Sequence, residues 1–112
     1  MKRAIASLLL LASSALAHSI SRAEAIAQLS ADEIRTRDAI QRVWLPSEKT
    51  ALLIVEVSKE WRVKPADARR ATAARWLALW RHAAPHGRVS VVDANGQAVV
   101  RYTPAGEVEL NE

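Results

Sequence analysis

Residues 89–110, VSVVDANGQAVVRYTPAGEVEL, contain two turn signals that organise the C-terminal part of the chain. Both signals, Asp93–Gln97 and Thr103–Glu107, fit a three-residue loop with glycine in the left-handed position. This loop length predicts a three-stranded antiparallel β-meander, with strands at 88–93, 97–103 and 107–110. The predicted cross-strand pairs are Val92 with Ala98, Tyr102 with Val108, Val100 with Leu110, and Arg101 with Glu109.

Side chains that alternate along these strands separate into an apolar face and a polar face. An apolar sheet face needs a second layer to cover it, so we expect helices on this side of the meander. The predicted apolar face consists of Ser90, Val92, Ala98, Val100, Tyr102, Val108 and Leu110.

Residues 66–82 have the clearest helical pattern in the chain, with one apolar arc. Trp76 and Trp80 stand four residues apart on this arc, and such a pair is usually part of a core. A platform on which a ligand stacks is the alternative. Three arginines outside the arc are either solvated or face an anion: Arg70, Arg75 and Arg81.

A second helix is predicted at 31–44. Ser30 and Glu33 fit a capping box at its start, and Pro46 follows its end. Asp38 and Arg42 stand four residues apart, in the order that favours an ion pair along a helix.

A third helix is predicted at 48–62, where apolar residues recur at helical spacing. The β-branched run at 51–57 also fits a strand, so this segment has two interpretations. Neither is excluded by the sequence.

The predicted fold class is therefore α+β: an N-terminal signal peptide, then about three helices packed on one face of a C-terminal three-stranded antiparallel β-meander. The expected organisation is a signal peptide at 1–17, a mature N-terminus at 18–30 that is either flexible or a short Ala-rich helix over 20–29, and a single small domain at 31–112.

The N-terminus has the three parts of a secretory signal peptide in order. Lys2 and Arg3 form the positive region, and residues 5–12 form the apolar region. Ala15 and Ala17 fit the small-residue cleavage site. The apolar run is shorter than the roughly 20 residues that span a bilayer, so we expect a periplasmic or secreted protein with no transmembrane segment after cleavage.

The composition excludes several classes of chemistry. The chain has no cysteine, which rules out disulfides, thiol nucleophiles and zinc–thiolate sites. Cleavage after Ala17 would remove two of the 16 basic residues, leaving 14 against 12 acidic ones, a modest net charge. There is no phosphate-binding glycine loop, nucleophile elbow or His-Glu-x-x-His motif, so we expect no enzymatic activity and no cofactor.

Copper is the alternative to this expectation. Cleavage after Ala17 would place His18 at the new N-terminus, where its amine and imidazole could chelate Cu(II), with a further ligand from His82 or His86. The ordinary interpretation is that His82 lies at a helix end and His86 in a turn.

Residues 29–80, whose last helix contains Leu77-Ala78-Leu79-Trp80, are similar in composition to small exported proteins of conjugative-element transfer clusters. No residue role follows from this resemblance. We expect an accessory protein that binds an envelope or secretion-system protein, through an apolar surface or the strand edge at Val108–Leu110. If residues 1–17 were not a signal peptide, three helices before a hairpin would instead suggest a winged-helix nucleic-acid binder.

Overall fold

A computed structural model describes residues 20–111. The helices are α1 (Arg22–Ser30), α2 (Asp32–Asp38) and α3 (Ala66–Ala83), and a 3₁₀ helix covers Lys59–Val63. The strands are β1 (Ile40–Trp44), β2 (Leu52–Val57), β3 (Arg88–Val92), β4 (Ala98–Tyr102) and β5 (Val108–Leu110).

The strands form one five-stranded mixed sheet in the order β1-β2-β3-β4-β5. The central pair, β2 and β3, is parallel, and the other three pairs are antiparallel. The predicted α+β class is confirmed, but the predicted sheet of three antiparallel strands is wrong. Strand β1 was not predicted, and β2 was given only as the alternative to a helix at 51–57. The two form an antiparallel pair, and β2 joins the C-terminal strands through its distant parallel partner β3.

The predicted helix at 31–44 ends early. Helix α2 stops at Asp38, because Ala39 adopts a left-handed conformation with φ of 59°. The chain then continues as β1, whose pairing with β2 satisfies backbone groups that a longer helix would have bonded internally. The predicted capping box at Ser30 does not form, and a capping box lies instead at Ser21 and Glu24, at the start of α1.

The predicted helix at 48–62 is a strand followed by a 3₁₀ helix. In β2, Leu53, Val55 and Val57 are buried and their neighbours are half-buried, which is the two-residue period of a strand. The β-branched residues favour a strand here, and the strand interpretation of 51–57 is the one that the structure matches. Strands β1 and β2 lie between α2 and α3, so the three helices do not follow one another directly before the hairpin, as the winged-helix alternative expected.

The three C-terminal strands lie where they were predicted, and all four predicted cross-strand pairs are present. The predicted faces are partly wrong, because Val99 forms a bulge between two pairs in β4. Val91 pairs with Val100 on the helix side of the sheet. Consequently Val92 and Ala98 lie on the opposite side, away from the predicted core.

The core lies between the helices and one face of the sheet. Trp76 and Trp80 are buried there, as predicted, and Trp61 stacks on Trp76 with ring centroids 5.2 Å apart. Helix α1 lies at the position of the short helix considered for 20–29, and it contributes buried Ala25 and Leu29 to this core.

Two hydrogen bonds from aromatic side chains tie α3 to its surroundings. The Trp80 indole donates to the Ala51 carbonyl at 2.9 Å. The Tyr102 hydroxyl donates to the Ala73 carbonyl at 2.8 Å, and burial raises the pKa of Tyr102 above its ordinary value. Both bonds satisfy polar groups inside the core, so they fix the position of α3 over the sheet.

Asp38, at the end of α2, is a buried carboxylate in which only 2% of the side chain is exposed. It accepts hydrogen bonds from Arg37 Nε at 2.8 Å, Arg75 Nη2 at 3.3 Å and the Trp76 indole at 3.1 Å. Burial by itself raises the pKa of Asp38, but the hydrogen bonds and the two positive charges outweigh it, so this pKa lies below its ordinary value. The predicted pair with Arg42 is absent, and Arg42 contacts Glu56 instead.

We expect Gly87→Ala to lower the free energy of unfolding by about 1–3 kcal/mol, the usual cost of overpacking. A Cβ at Gly87 would lie 2.5 Å from Trp80 Nε1 and 2.8 Å from the Ala84 carbonyl oxygen. Because one of these atoms belongs to the backbone, the loop or the indole must move. Urea unfolding, together with the NMR signal of the Trp80 indole N–H, measures both effects.

Gly96→Ala is the control for this change. Gly96 has φ of 79° and nothing within 4 Å of the added Cβ, so it incurs only backbone strain, about 1 kcal/mol. An unshifted Trp80 indole signal in the Gly87 variant would contradict the packing argument.

Candidate functional site

The two faces of the sheet are in different environments. The helices cover the face that bears Leu53, Val55 and Val91, each with no exposed surface. No helix or loop of residues 20–111 covers the opposite side of the central strands, which we call the open face. Its side chains on β1, β2 and β3 are half-buried or exposed: Arg42, Trp44, Leu52, Ile54, Glu56, Arg88, Ser90 and Val92.

Apolar side chains form a continuous group across the open face. Trp44 is paired with Ile54 in the sheet register, and Leu52 lies two residues from Ile54 on the same strand. Val92 lies next to Glu56 on the neighbouring strand. These four apolar residues are not part of the buried core cluster. The open face therefore carries a group of half-buried apolar side chains, a feature found at protein-binding surfaces.

Charged pairs lie beside this apolar patch. The Arg42 guanidinium stacks over the Trp44 ring at 4.2 Å from its centroid, and its Nε lies 3.0 Å from Glu56 Oε1. On β4 and β5, Arg101 Nε lies 3.5 Å from Glu109 Oε1. An apolar centre with a polar border is the common anatomy of a protein–protein interface.

In the described part of the chain, β1 and β5 are the edge strands of the sheet, each paired on one side only. The strand edge predicted at Val108–Leu110 is one of them, and β5 has only three residues. Its short length and the neighbouring Glu107 and Glu109 make it a weak template for strand addition. The open face is therefore the better candidate than the predicted edge.

The predicted anion-facing arginines lie at separate places. Arg70 pairs with Asp67 at 3.0 Å on the exposed side of α3. Arg75 contacts buried Asp38 and donates to the Thr72 hydroxyl, while Arg81 Nε donates to the Gly87 carbonyl at 3.1 Å. These three residues do not form one site.

The predicted metal ligands are only partly described. His82 is exposed near the end of α3 and His86 is exposed in the turn that follows. His18 lies outside the described residues, as do the cleavage-site residues Ala15 and Ala17. Among residues 20–111, no three histidine, aspartate or glutamate side chains come together as a metal site.

Within residues 20–111, none of the helices is both long and apolar enough to cross a membrane.

Sequence reasoning missed the open face and the role of Asp38. The available signal for the open face was the run Leu52–Val55, which is apolar at every position rather than at alternate ones. Such runs are typical of strands in parallel sheets that are covered on both faces. For Asp38 no local signal existed, because its partners Arg75 and Trp76 lie on a different helix.

Comparisons with protein-family models, curated proteins and solved structures found no significant match.

Proposed function

We propose that this chain is a small exported, non-enzymatic accessory protein that binds an envelope or secretion-system protein through the open face of its sheet. The observation that carries the proposal is the apolar patch on that face. Parallel strands with continuous apolar runs are normally covered on both sides, and here one side of β2 and β3 is uncovered within residues 20–111.

Two features support a protein as the partner. The Arg42–Glu56 and Arg101–Glu109 pairs lie beside the patch, so it offers both apolar area and charges of either sign. Trp44 and Arg42 are the residue types that most often carry binding energy at interfaces. We expect Trp44 to be the main anchor, because it is half-buried and its ring is in contact with the Arg42 guanidinium.

Support for export comes from residues 1–17, whose positive region, apolar region and Ala15–Ala17 site follow the pattern of a cleaved signal peptide. The absence of cysteine from the sequence suits an oxidising compartment, where free thiols would be oxidised. The proposed non-enzymatic role is supported by the lack of recognised catalytic motifs in the sequence.

A photo-crosslinking amino acid at position 54 tests the surface directly. Expressed in a Gram-negative host as the full chain with its own residues 1–17, the protein should appear in the periplasm and form a discrete adduct with one envelope protein. The adduct should disappear when unlabelled wild-type protein competes, but persist when the competitor carries Trp44→Ala, because loss of a central aromatic anchor costs about 2 kcal/mol or more of binding.

The same photo-reactive group at position 70 is the matched control, since Arg70 is exposed on the helix side. Equal adducts from both positions would contradict the open-face interface. A chain that retains residues 1–17 in the cytoplasm would contradict export, which the intact mass of the purified protein measures.

A further inference from the structure

A second concave surface lies on the helix side of the molecule, away from the open face. It is a cleft of about 390 Å³ between α1, α2 and α3. We call it the helix groove. Most of its lining is apolar: Leu29, Ala31, Ile34, Trp76 and Leu79. This volume falls within the 300–1,000 Å³ range typical of small-molecule sites, which are mostly apolar with a few placed polar groups.

The polar groups of the helix groove are Gln28, Arg37, Asp38 and Arg75. The Asp38 carboxylate is buried and holds both guanidiniums, whose side chains are about half exposed, at 56% for Arg37 and 51% for Arg75. Two positive charges therefore share one negative charge, so the lining carries a surplus of one positive charge. Glu33, the other carboxylate near Arg37, does not line the groove.

The hydrogen bonds to Asp38 use only some of the nitrogens of Arg37 and Arg75. Arg37 uses Nε and Nη2, and Arg75 uses Nη2. The Nη1 group of each arginine makes no hydrogen bond to any of residues 20–111. Because Asp38 anchors both guanidiniums from the core side, little side-chain entropy is lost when a ligand binds them.

We propose that the helix groove binds a small monocarboxylate with an alkyl body, of the medium-chain fatty-acid class. The carboxylate pairs with the Nη1 groups of Arg37 and Arg75, where charge-assisted hydrogen bonds are strong. The alkyl body lies along Leu29, Ile34 and Leu79. A cation is disfavoured by the surplus positive charge, and a purely polar anion would leave the apolar lining without contact.

The test is titration of the purified mature protein with decanoate, followed by calorimetry and by tryptophan fluorescence, since Trp76 lines the groove. Decan-1-ol has the same body without the charge and should bind at least about tenfold more weakly, as expected for loss of a charge-assisted pair. Arg75→Gln should weaken decanoate binding by a similar factor, and Arg70→Gln on the same helix should leave it within about twofold.

Arg75→Gln also removes a partner of Asp38, so a second variant separates binding from folding. Leu79→Glu leaves every contact of Asp38 intact and places a carboxylate in the apolar lining, so it should abolish decanoate binding while far-UV circular dichroism stays native. Equal binding of decanoate and decan-1-ol, or equal effects of the Arg70 and Arg75 variants, would overturn the proposal. Tighter binding of a peptide that ends in leucine than of decanoate would assign the groove to a protein partner instead.

Discussion

Asp38→Asn is expected to lower the free energy of unfolding at pH 7 by about 3 kcal/mol, because it breaks a buried ion pair and leaves its partners unsatisfied. The neutral amide cannot balance Arg37 and Arg75 together, and it cannot accept equally from both guanidiniums and the Trp76 indole. This carboxylate joins the end of α2 to the middle of α3, so its loss also loosens the packing of the two helices. Chemical unfolding followed by circular dichroism measures the change.

The lowered pKa of Asp38 predicts how its contribution to the free energy of unfolding changes with pH. The pKa of Asp38 in the folded protein is below its ordinary value of about 3.9. Its contribution is therefore complete above the unfolded-state pKa and is lost as the pH falls through the lower, folded-state pKa. Wild type should become less stable below about pH 4, and Asp38→Asn should show a shallower loss over the same range.

Asp67→Asn is the matched control, since the Asp67 side chain is fully exposed and pairs with Arg70 on the surface of α3. Its stability should stay within about 0.5 kcal/mol of wild type, as is usual for exposed ion pairs. If the Asp38 and Asp67 variants lost stability equally and kept the same acid profile, the buried carboxylate would not be an important stabilising group.

Leu53→Ala and Ile54→Ala are expected to differ strongly although they are neighbours. Leu53 has no exposed surface, so its truncation should cost about 2–5 kcal/mol. Ile54 lies on the open face, half-buried, and its truncation should cost about 1 kcal/mol. A helix at 48–62 would have placed both residues on one apolar side, so similar losses would favour the helix over β2. The urea midpoints of the two variants measure the difference.

The same two variants also separate an effect on stability from an effect on partner binding. Because the open face adds little to folding, unlabelled Ile54→Ala protein should remain folded but compete poorly for the adduct formed through position 54, while Leu53→Ala should lose both stability and competition. A folded Ile54 variant that competes as well as wild type would contradict the open face as the interface.

The elements that were predicted correctly are those specified by neighbours in the sequence. The turns at Asp93–Gln97 and Thr103–Glu107 fixed the register of β3, β4 and β5, because glycine in the left-handed position and loop length are local properties. Helix α3 was predicted within one residue, since its apolar arc spans several turns. The bulge at Val99 has no equivalent signal, and it moved Val92 to the other face.

The two strands that were not predicted firmly depend on pairing with other segments, and for β2 one partner is far away in the sequence. β1 ends a helix that local propensity would have continued, and it exists because its backbone pairs with β2. β2 in turn pairs with β3 in parallel, through a connection that contains the whole of α3. Periodicity could not separate this strand from a helix, because short apolar runs are ambiguous between the two.

The candidate surfaces depend even more on tertiary structure. The sequence by itself determined the C-terminal register, helix α3 and the apolar residues that make a core, all through contacts between near neighbours. Only the tertiary structure decided that Asp38 meets Arg75 and Trp76, and that Trp44, Ile54 and Val92 lie together on one uncovered face. Those residues belong to different elements, and the relative placement of elements is set by packing and non-local hydrogen bonds, which leave no periodic trace in the sequence.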